Sequence, residues 1–408
     1  MQKAPYFVGL DIGTSAVRCV VGMLNENDVE ASLSVIGVGS SPNIGMRKGS
    51  VAHIEDVASS ISEAVAEAER MAGVHVGGAT VNVNGAHVAS LPSHGVVAIS
   101  SPNREISEDD RVRVEQAATV INLPANRDII QVFAKNYKID GQDNIKDPVG
   151  MQGVRLEVET VVVTAGVPLV RTLDQAIDKA QIGINNRTVS SLAAAEAVLD
   201  RRQKESGTAV IDIGAGTTNV VIIEEGEVEY VSVIPIGSQN LTNDLAICLK
   251  TDLEVAESIK KAHATLDFTN PPAETISVEH EGKRYSFKEK TVRAVVEARL
   301  EELFDQIDKQ FKKIGKSRKL PGGLVIVGGM ANLPGIADFA KEQLQLPAKT
   351  GKIQNTGGFI DTINAPEYAT SVGLMMLDML LSENVGQSFA QAGSSSDGLF
   401  KKIKKLIK

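Results

Sequence analysis

Apolar positions along the chain follow two periods, and the change from one to the other separates strands from helices. Residues 8–22, VGLDIGTSAVRCVVG, contain an apolar run, a Gly/Thr/Ser turn and a second apolar run. Residues 210–223, VIDIGAGTTNVVII, repeat that order. β-Branched and aliphatic runs bounded by turn residues predict strands. A polar turn follows each copy (Asn25 to Asp28; Glu224 to Glu227), and a third strand then ends in IGVGS at 36–40 or IPIGS at 234–238. Two β-meanders of one pattern therefore open two halves of the chain.

The 3.6-residue period takes over between and after the meanders. Residues 55–72 place Val57, Ile61, Ala64, Val65 and Ala68 on one face. Residues 289–314 predict a long helix with Val292, Val295, Val296, Leu300, Leu303, Phe304, Ile307 and Phe311 at helical spacing. Another helix is expected over Asp338–Leu344, after Pro334–Gly335. Strands alternating with helices imply α/β lobes around buried sheets. Residues 84–166 depart from this alternation. They hold strand candidates at 96–99, 129–137 and 155–163 and one helix candidate at 107–120, and so read as a small α+β insertion in the first lobe. The apolar run Val372–Leu381 is short and carries Asp378, which predicts a buried helix rather than a membrane span. No signal-peptide stretch opens the chain.

The last residues change the picture. Residues 386–397, GQSFAQAGSSSD, predict a flexible linker. In 398–408 the apolar residues Leu399, Phe400, Ile403, Leu406 and Ile407 share one helical face. Lys401, Lys402, Lys404, Lys405 and Lys408 occupy the other, and Asp397 or Ser396 can cap the start. This pattern predicts an amphipathic helix lying in an anionic membrane surface, each Lys contributing ~1 kcal/mol. The formal net charge is −9, so with these five lysines set aside the rest of the chain carries −14. An acidic body with 4% aromatics and no Trp argues against a nucleic-acid partner. Cys19 and Cys248 stand far apart with no CxxC, which fits a reducing compartment.

The DIG repeat carries the candidate chemistry. Asp11, at a strand end, can hold a hydrated Mg²⁺. Gly13 is expected to supply unusual backbone angles and a close approach of N–H groups to phosphate, with Thr14 and Ser15 adding hydroxyls. Asp212, Gly214, Ala215, Gly216, Thr217, Thr218 and Asn219 offer the same parts in the second copy. One such turn is as well read as an ordinary hairpin. Two, opening matched halves, predict a clamp on a polyphosphate and its metal. A third glycine signal, VIVGGMANLPGI at 325–336, ends a strand in Gly328, Gly329 and Met330, and reads as a flat ligand face or as a plain strand-to-helix turn.

Together these segments resemble the actin, Hsp70 and sugar-kinase superfamily. DIGTS at 11–15 looks like its first phosphate motif, DIGAGTTN at 212–219 its second, and VGGMANLPG at 327–335 its adenosine motif. AAAEAVL at 193–199 and ATSVGL at 369–374 look like its two connecting helices. The resemblance implies a two-lobed actin-like (ribonuclease H-like) α/β ATPase fold holding MgATP between the lobes, with Asp11 and Asp212 near the metal. Glu257 and Lys260 match a pair near ribose and adenine in MreB-related members, or belong to an ordinary solvated helix face.

Within the superfamily the sequence is most similar to the FtsA family of bacterial cell-division proteins, on GLDIGTS, the insertion after VNVNGAH, PIGSQNLTNDLA and the basic tail. That resemblance implies a first lobe of 1–83 with 167–190 and 357–385, the FtsA-type subdomain at 84–166, and a second lobe of 191–356 with a smaller subdomain near 231–300. It also implies self-assembly into filaments, tethering of FtsZ filaments to the cytoplasmic membrane face at the division site, and further division partners at the insertion. An FtsZ C-terminal peptide is expected on the smaller subdomain, where Lys290, Arg293 and Arg299 could meet its carboxylates. Many relatives have Gln or Glu at the start of the first connecting helix to position the attacking water. Ser190 stands there in this chain, so hydrolysis is expected to be slow or absent while ATP binding is retained. The alternatives are a PilM-like pilus-assembly adaptor, which lacks the terminal helix, and a small-molecule kinase, for which no acceptor base is evident.

Overall fold

The computed structural model describes residues 5–25, 32–354, 356–359 and 363–382. The expected linker at 386–397 and the basic segment at 398–408 lie outside the described residues.

Both predicted meanders are present and in register. In the first, Tyr6–Ile12 runs antiparallel to Ala16–Asn25, which runs antiparallel to Ser32–Pro42. Strands Gly78–Val83 and Gly183–Val189 add to it in parallel. In the second, Thr208–Ile213, Thr218–Glu224 and Glu227–Ile234 repeat the antiparallel order, and Gly323–Val327 adds in parallel. Each central strand is buried along nearly its whole length, which is why the sequence shows continuous apolar runs rather than alternation.

Helix Ile54–Ala72 covers one face of the first sheet with Val57, Ile61, Ala64, Val65 and Ala68 buried, the face that the period predicts. It ends at Gly73, whose left-handed conformation (φ 67°) lets its N–H donate to the Glu69 carbonyl. The two connecting helices, Ser190–Val198 and Ala369–Leu381, cross between the lobes. A Cβ on Gly373 would lie 1.7 Å from the Ala193 carbonyl oxygen, so the crossing needs glycine there. Asp378, which interrupts the apolar run of the second helix, is buried and tied to three strands. It accepts from Val8 N at 2.9 Å, Thr80 Oγ1 at 2.7 Å and Asn185 Nδ2 at 3.0 Å.

In the second lobe, helix Glu289–Lys313 buries Val292, Val296, Leu300, Leu303, Phe304, Ile307 and Phe311. Each such burial contributes about 2 kcal/mol, offset in part by ordering entropy. Among the described residues no helix is long and apolar enough to cross a membrane.

The insertion is a sheet of Ala89–Ala98, Arg155–Gly166, Arg127–Ile139 and Gln142–Ile145 with helix Glu108–Ala117 packed on it. It has its own core of Ile106, Val114, Tyr137, Leu156 and Val158. A capping box between Ser107 and Asp110 starts its helix. The unit is an insertion in the chain of the first lobe. Its chain leaves from that lobe, but its sheet continues the sheet of the second, because Ala89 pairs with Ser232. Ser90 Oγ accepts from Val231 N at 3.0 Å and donates to Val231 O at 2.7 Å. Ion pairs Lys135–Glu229 (2.7 Å) and Lys146–Glu225 (3.1 Å) flank this seam. The pairing joins residues over a hundred positions apart and leaves no local signature in the sequence.

Candidate functional site

The tips of the two hairpins meet between the lobes. Each turn closes in the same way, Gly13 N donating to Ala16 O at 3.0 Å and Gly214 N to Thr217 O at 2.9 Å. The expected reason for the glycines is corrected here. Gly13, Gly214 and Gly216 are not among the residues with positive φ, so none is required for a left-handed angle. Close approach requires two of them instead: a Cβ on Gly13 would lie 2.8 Å from Ala16 O, and one on Gly216 2.8 Å from Thr14 Oγ1 across the cleft. Gly328 is the position that needs both freedoms. Its φ is 83°, and a Cβ would lie 2.5 Å from Asp212 Oδ1.

The hydroxyls divide into two groups. Thr14 Oγ1 accepts from Gly49 N and Thr217 Oγ1 from Asn84 Nδ2, both at 3.1 Å. These two face the shared cleft. Thr218 donates to Ile236 O at 2.8 Å and belongs to its own meander. Ser15 is exposed.

Asp11 and Asp212 are both buried, 8% exposed each. Burial raises Asp11 to about 7; nearby Arg18 opposes this and the charge of Asp212 adds to it. Burial raises Asp212 to about 6, against hydrogen bonds from Asn219 and Thr370 and the charge of Arg18. Two buried carboxylates, the charge of one acting on the other, favour a cation between them. Asn219 Oδ1, beside Asp212, is buried with no hydrogen-bond partner among the described residues, so polar capacity near that carboxylate is unused. No group of three or more acidic, His or Cys side chains gathers among the described residues. The set therefore fits a cation that keeps most of its own water, as Mg²⁺ does, and not a full protein cage.

The smaller subdomain is anchored on the second turn. Ser238 N and Gln239 N, at the start of helix Ser238–Leu249, donate to the carbonyls of Gly214 and Ala215 at 2.9 Å. Glu257 and Lys260, on helix Leu253–His263, form an ion pair at 2.6 Å that Thr242 joins, donating to Glu257 at 2.6 Å and accepting from Lys260 at 2.9 Å. The Lys260 side chain is only 12% exposed and that of Glu257 35%, so the lysine end of the pair is covered. Burial lowers Lys260 from its ordinary value. Gly329 and Met330 begin the short turn Gly329–Asn332, with Met330 buried, and Gly328 N donates to Pro366 O at 3.1 Å beside the second connecting helix.

Ser190 is buried at the first residue of its connecting helix, where Asn82 Nδ2 donates to its Oγ at 3.1 Å. Glu196, further along, pairs with Lys204 at 2.6 Å. The carboxylate nearest in sequence to Ser190 is thus held elsewhere. Lys290 is exposed on its helix. Arg293 and Arg299 are engaged within the chain, Arg293 with Glu289 and Asn270 O, and Arg299 with Asp244 and Glu302.

Three cleft residues were missed by sequence reasoning: Arg18, Asn82 and Asn84. Arg18 stands opposite Asp11 across the hairpin as Asn219 stands opposite Asp212, and its guanidinium lies 5.4 Å from the centre of the Tyr368 ring. Asn82 and Asn84 are the polar positions of VNVNG, an alternation inside an apolar strand that could have flagged them.

Two meander lobes around a DIG-lined cleft, crossed by two small-residue helices, define an actin-like fold. Solved structures agree on the fold. The PilM–PilN type IV pilus biogenesis complex matches with TM-score 0.65 at 17% identity, over 91% of this chain and 98% of that one. MreB5 of Spiroplasma citri bound to AMPPNP matches with TM-score 0.53 at 13% identity, over 96% and 100%. The family profile "Cell division protein FtsA" matches residues 209–373, and "SHS2 domain inserted in FTSA" matches 85–164. The chain is 36% identical to Cell division protein FtsA of Pseudomonas aeruginosa over 97% of its own length and 94% of that protein. It is 35% identical to the Bacillus subtilis counterpart over 92% and 84%. The chain belongs to the FtsA family of actin-like cell-division proteins.

Proposed function

We propose that this protein is an ATP-binding cytoskeletal adaptor that self-assembles and tethers FtsZ filaments to the cytoplasmic membrane face during division. The observation that carries this reading is the meeting of the two DIG turns. Two buried carboxylates, two cleft hydroxyls and a glycine-lined strand end converge where a nucleotide would be shared by both lobes. A ligand held by both lobes stabilises the closed form, so slow turnover suits it. Asp11 and Asp212 would hold Mg²⁺ through water. Thr14, Gly216 and Thr217 would meet phosphate, Gly328 to Met330 the base, and Glu257 with Lys260 the ribose side. Ser190, in place of an amide or carboxylate, supports slow or absent hydrolysis.

The adaptor role adds two contacts to that core. The amphipathic pattern of 398–408 supports reversible docking on anionic lipid, strengthened when a filament presents many tails. The smaller subdomain supports binding of an FtsZ C-terminal peptide. Of the three cations named there Lys290 is exposed, and Arg293 and Arg299 would first have to exchange their internal partners. Self-assembly and further division partners at the insertion complete the role.

Co-sedimentation of FtsZ with anionic liposomes tests it. FtsZ should pellet with the full chain and ATP, and neither with a chain lacking 398–408 nor with Phe400→Glu. Recruitment that survives removal of the tail would overturn the tethering role.

A further inference from the structure

Asn82 lies on strand Gly78–Val83, beside the strand that carries Asp11, and is 2% exposed. Its Oδ1 accepts the Ile12 N–H at 2.7 Å, which fixes the two ends of the amide. Its Nδ2 donates to Asp11 Oδ1 at 2.7 Å and to Ser190 Oγ at 3.1 Å. An amide nitrogen has two protons, and both are used. Ser190 accepts from Asn82, so its own hydroxyl proton is left to donate.

The other lobe shows the same provision made differently. Asp212 receives an amide from Asn219, directly across its own hairpin, at 3.2 Å. In the first hairpin Arg18 occupies that cross-strand place, and the amide comes from the neighbouring strand instead. Each cleft carboxylate thus has one buried amide donor, reached by two different routes. A donor bonded to a carboxylate fixes its orientation and favours its charged form.

We infer that Asn82 is a positioning residue of the cleft, which orients the Asp11 carboxylate toward a hydrated divalent cation. This deepens the nucleotide-binding reading and rests on it.

The test is ATP affinity of the full chain measured in Mg²⁺ and in EDTA, for wild type, Asn82→Ala, Asn82→Leu and Ser190→Ala. Leucine keeps the volume of the side chain without its hydrogen bonds, and melting curves report folding of each variant. Wild type should bind ATP more tightly in Mg²⁺. Both Asn82 variants should lose about tenfold of that advantage, the scale of one charge-assisted hydrogen bond, with affinity in EDTA within about twofold of wild type. Ser190→Ala should keep the Mg²⁺ advantage, because the bond to Asp11 remains. Asn82 variants that keep the full advantage, or that lose affinity equally in Mg²⁺ and EDTA, would overturn the inference. A wild-type chain that binds no ATP would overturn the nucleotide reading, and this inference with it.

Discussion

The two hairpins share a register and differ in what faces the carboxylate. Asp11 is paired with Arg18 and Asp212 with Asn219. One copy has a cation across the strand and the other an amide, yet both acids are raised, to about 7 and about 6. Burial therefore outweighs the nearest opposite charge in this cleft. The difference teaches that two hairpins of one backbone register can carry different electrostatics. Where Arg18 stands across the hairpin, the amide, Asn82, comes from another strand.

Making the hairpins alike breaks the comparison most severely in one direction. Asn219→Arg forces a charged, larger side chain into a position 1% exposed. Overpacking should cost about 1–3 kcal/mol, read as a clear drop in denaturation midpoint. A variant as stable as wild type would show that the second hairpin has room for a cation after all.

The reverse change is milder. Arg18→Asn removes the charge that opposes both raised acids and the contact with Tyr368. ATP affinity in Mg²⁺ should fall about tenfold, near the worth of one charged contact. Unchanged affinity would remove Arg18 from the cleft's chemistry.

A pH series sharpens the same comparison. Both acids are raised, so the folded empty cleft binds protons that the unfolded chain releases. The stability from this source is full below the ordinary carboxylate range, near pH ~4, and is lost as pH rises through about 6 and then about 7. The nucleotide-free chain should melt lower at pH 8 than at pH 5.5 by this contribution, and Asp11→Asn should flatten the upper part of the fall. Binding of Mg²⁺ with ATP needs the charged forms, so affinity should rise across the same window. A nucleotide-free chain whose stability rises over that window in wild type and is unaffected by Asp11→Asn would contradict the assignment.

The smallest effect is expected at the seam. Lys146→Ala removes a largely exposed ion pair with Glu225 and should change stability by less than about 0.5 kcal/mol. Lys135→Ala, whose pair with Glu229 is mostly covered, should cost about 1–2 kcal/mol. Equal effects in a chemical denaturation series would mean that the insertion is not held there by its covered pair.

The parts of this molecule that the sequence makes legible are those with a local pattern. The DIG repeat announces the meanders, and the 3.6-residue period announces Ile54–Ala72 and Glu289–Lys313 almost to their ends. Asp11, Thr14, Asp212 and Thr217 follow from the repeat because each copy presents them at the same offset. The amide of Asn82 does not, because its partners Asp11 and Ser190 lie 71 and 108 positions away. The seam at Ala89 and Ser232 is hidden for the same reason. The glycines were read at the right positions, but the unusual backbone angle expected at Gly13 is not there. Spacing identifies a tight turn, but only coordinates separate a left-handed angle, as at Gly328, from a close approach, as at Gly216. Arg293 and Arg299 look like free cations on a helix face until Glu289 and Asp244 are seen beside them.

The central claim is that both turns act on one nucleotide and its metal. Calorimetric titration of ATP into the full chain, with Mg²⁺, for wild type, Asp11→Ala and Asp212→Ala, tests it most directly. One saturable site is predicted in wild type, with each variant weakened by roughly tenfold to a hundredfold and the excess Mg²⁺ dependence lost in both. Wild-type affinity and Mg²⁺ dependence in either variant would contradict the claim.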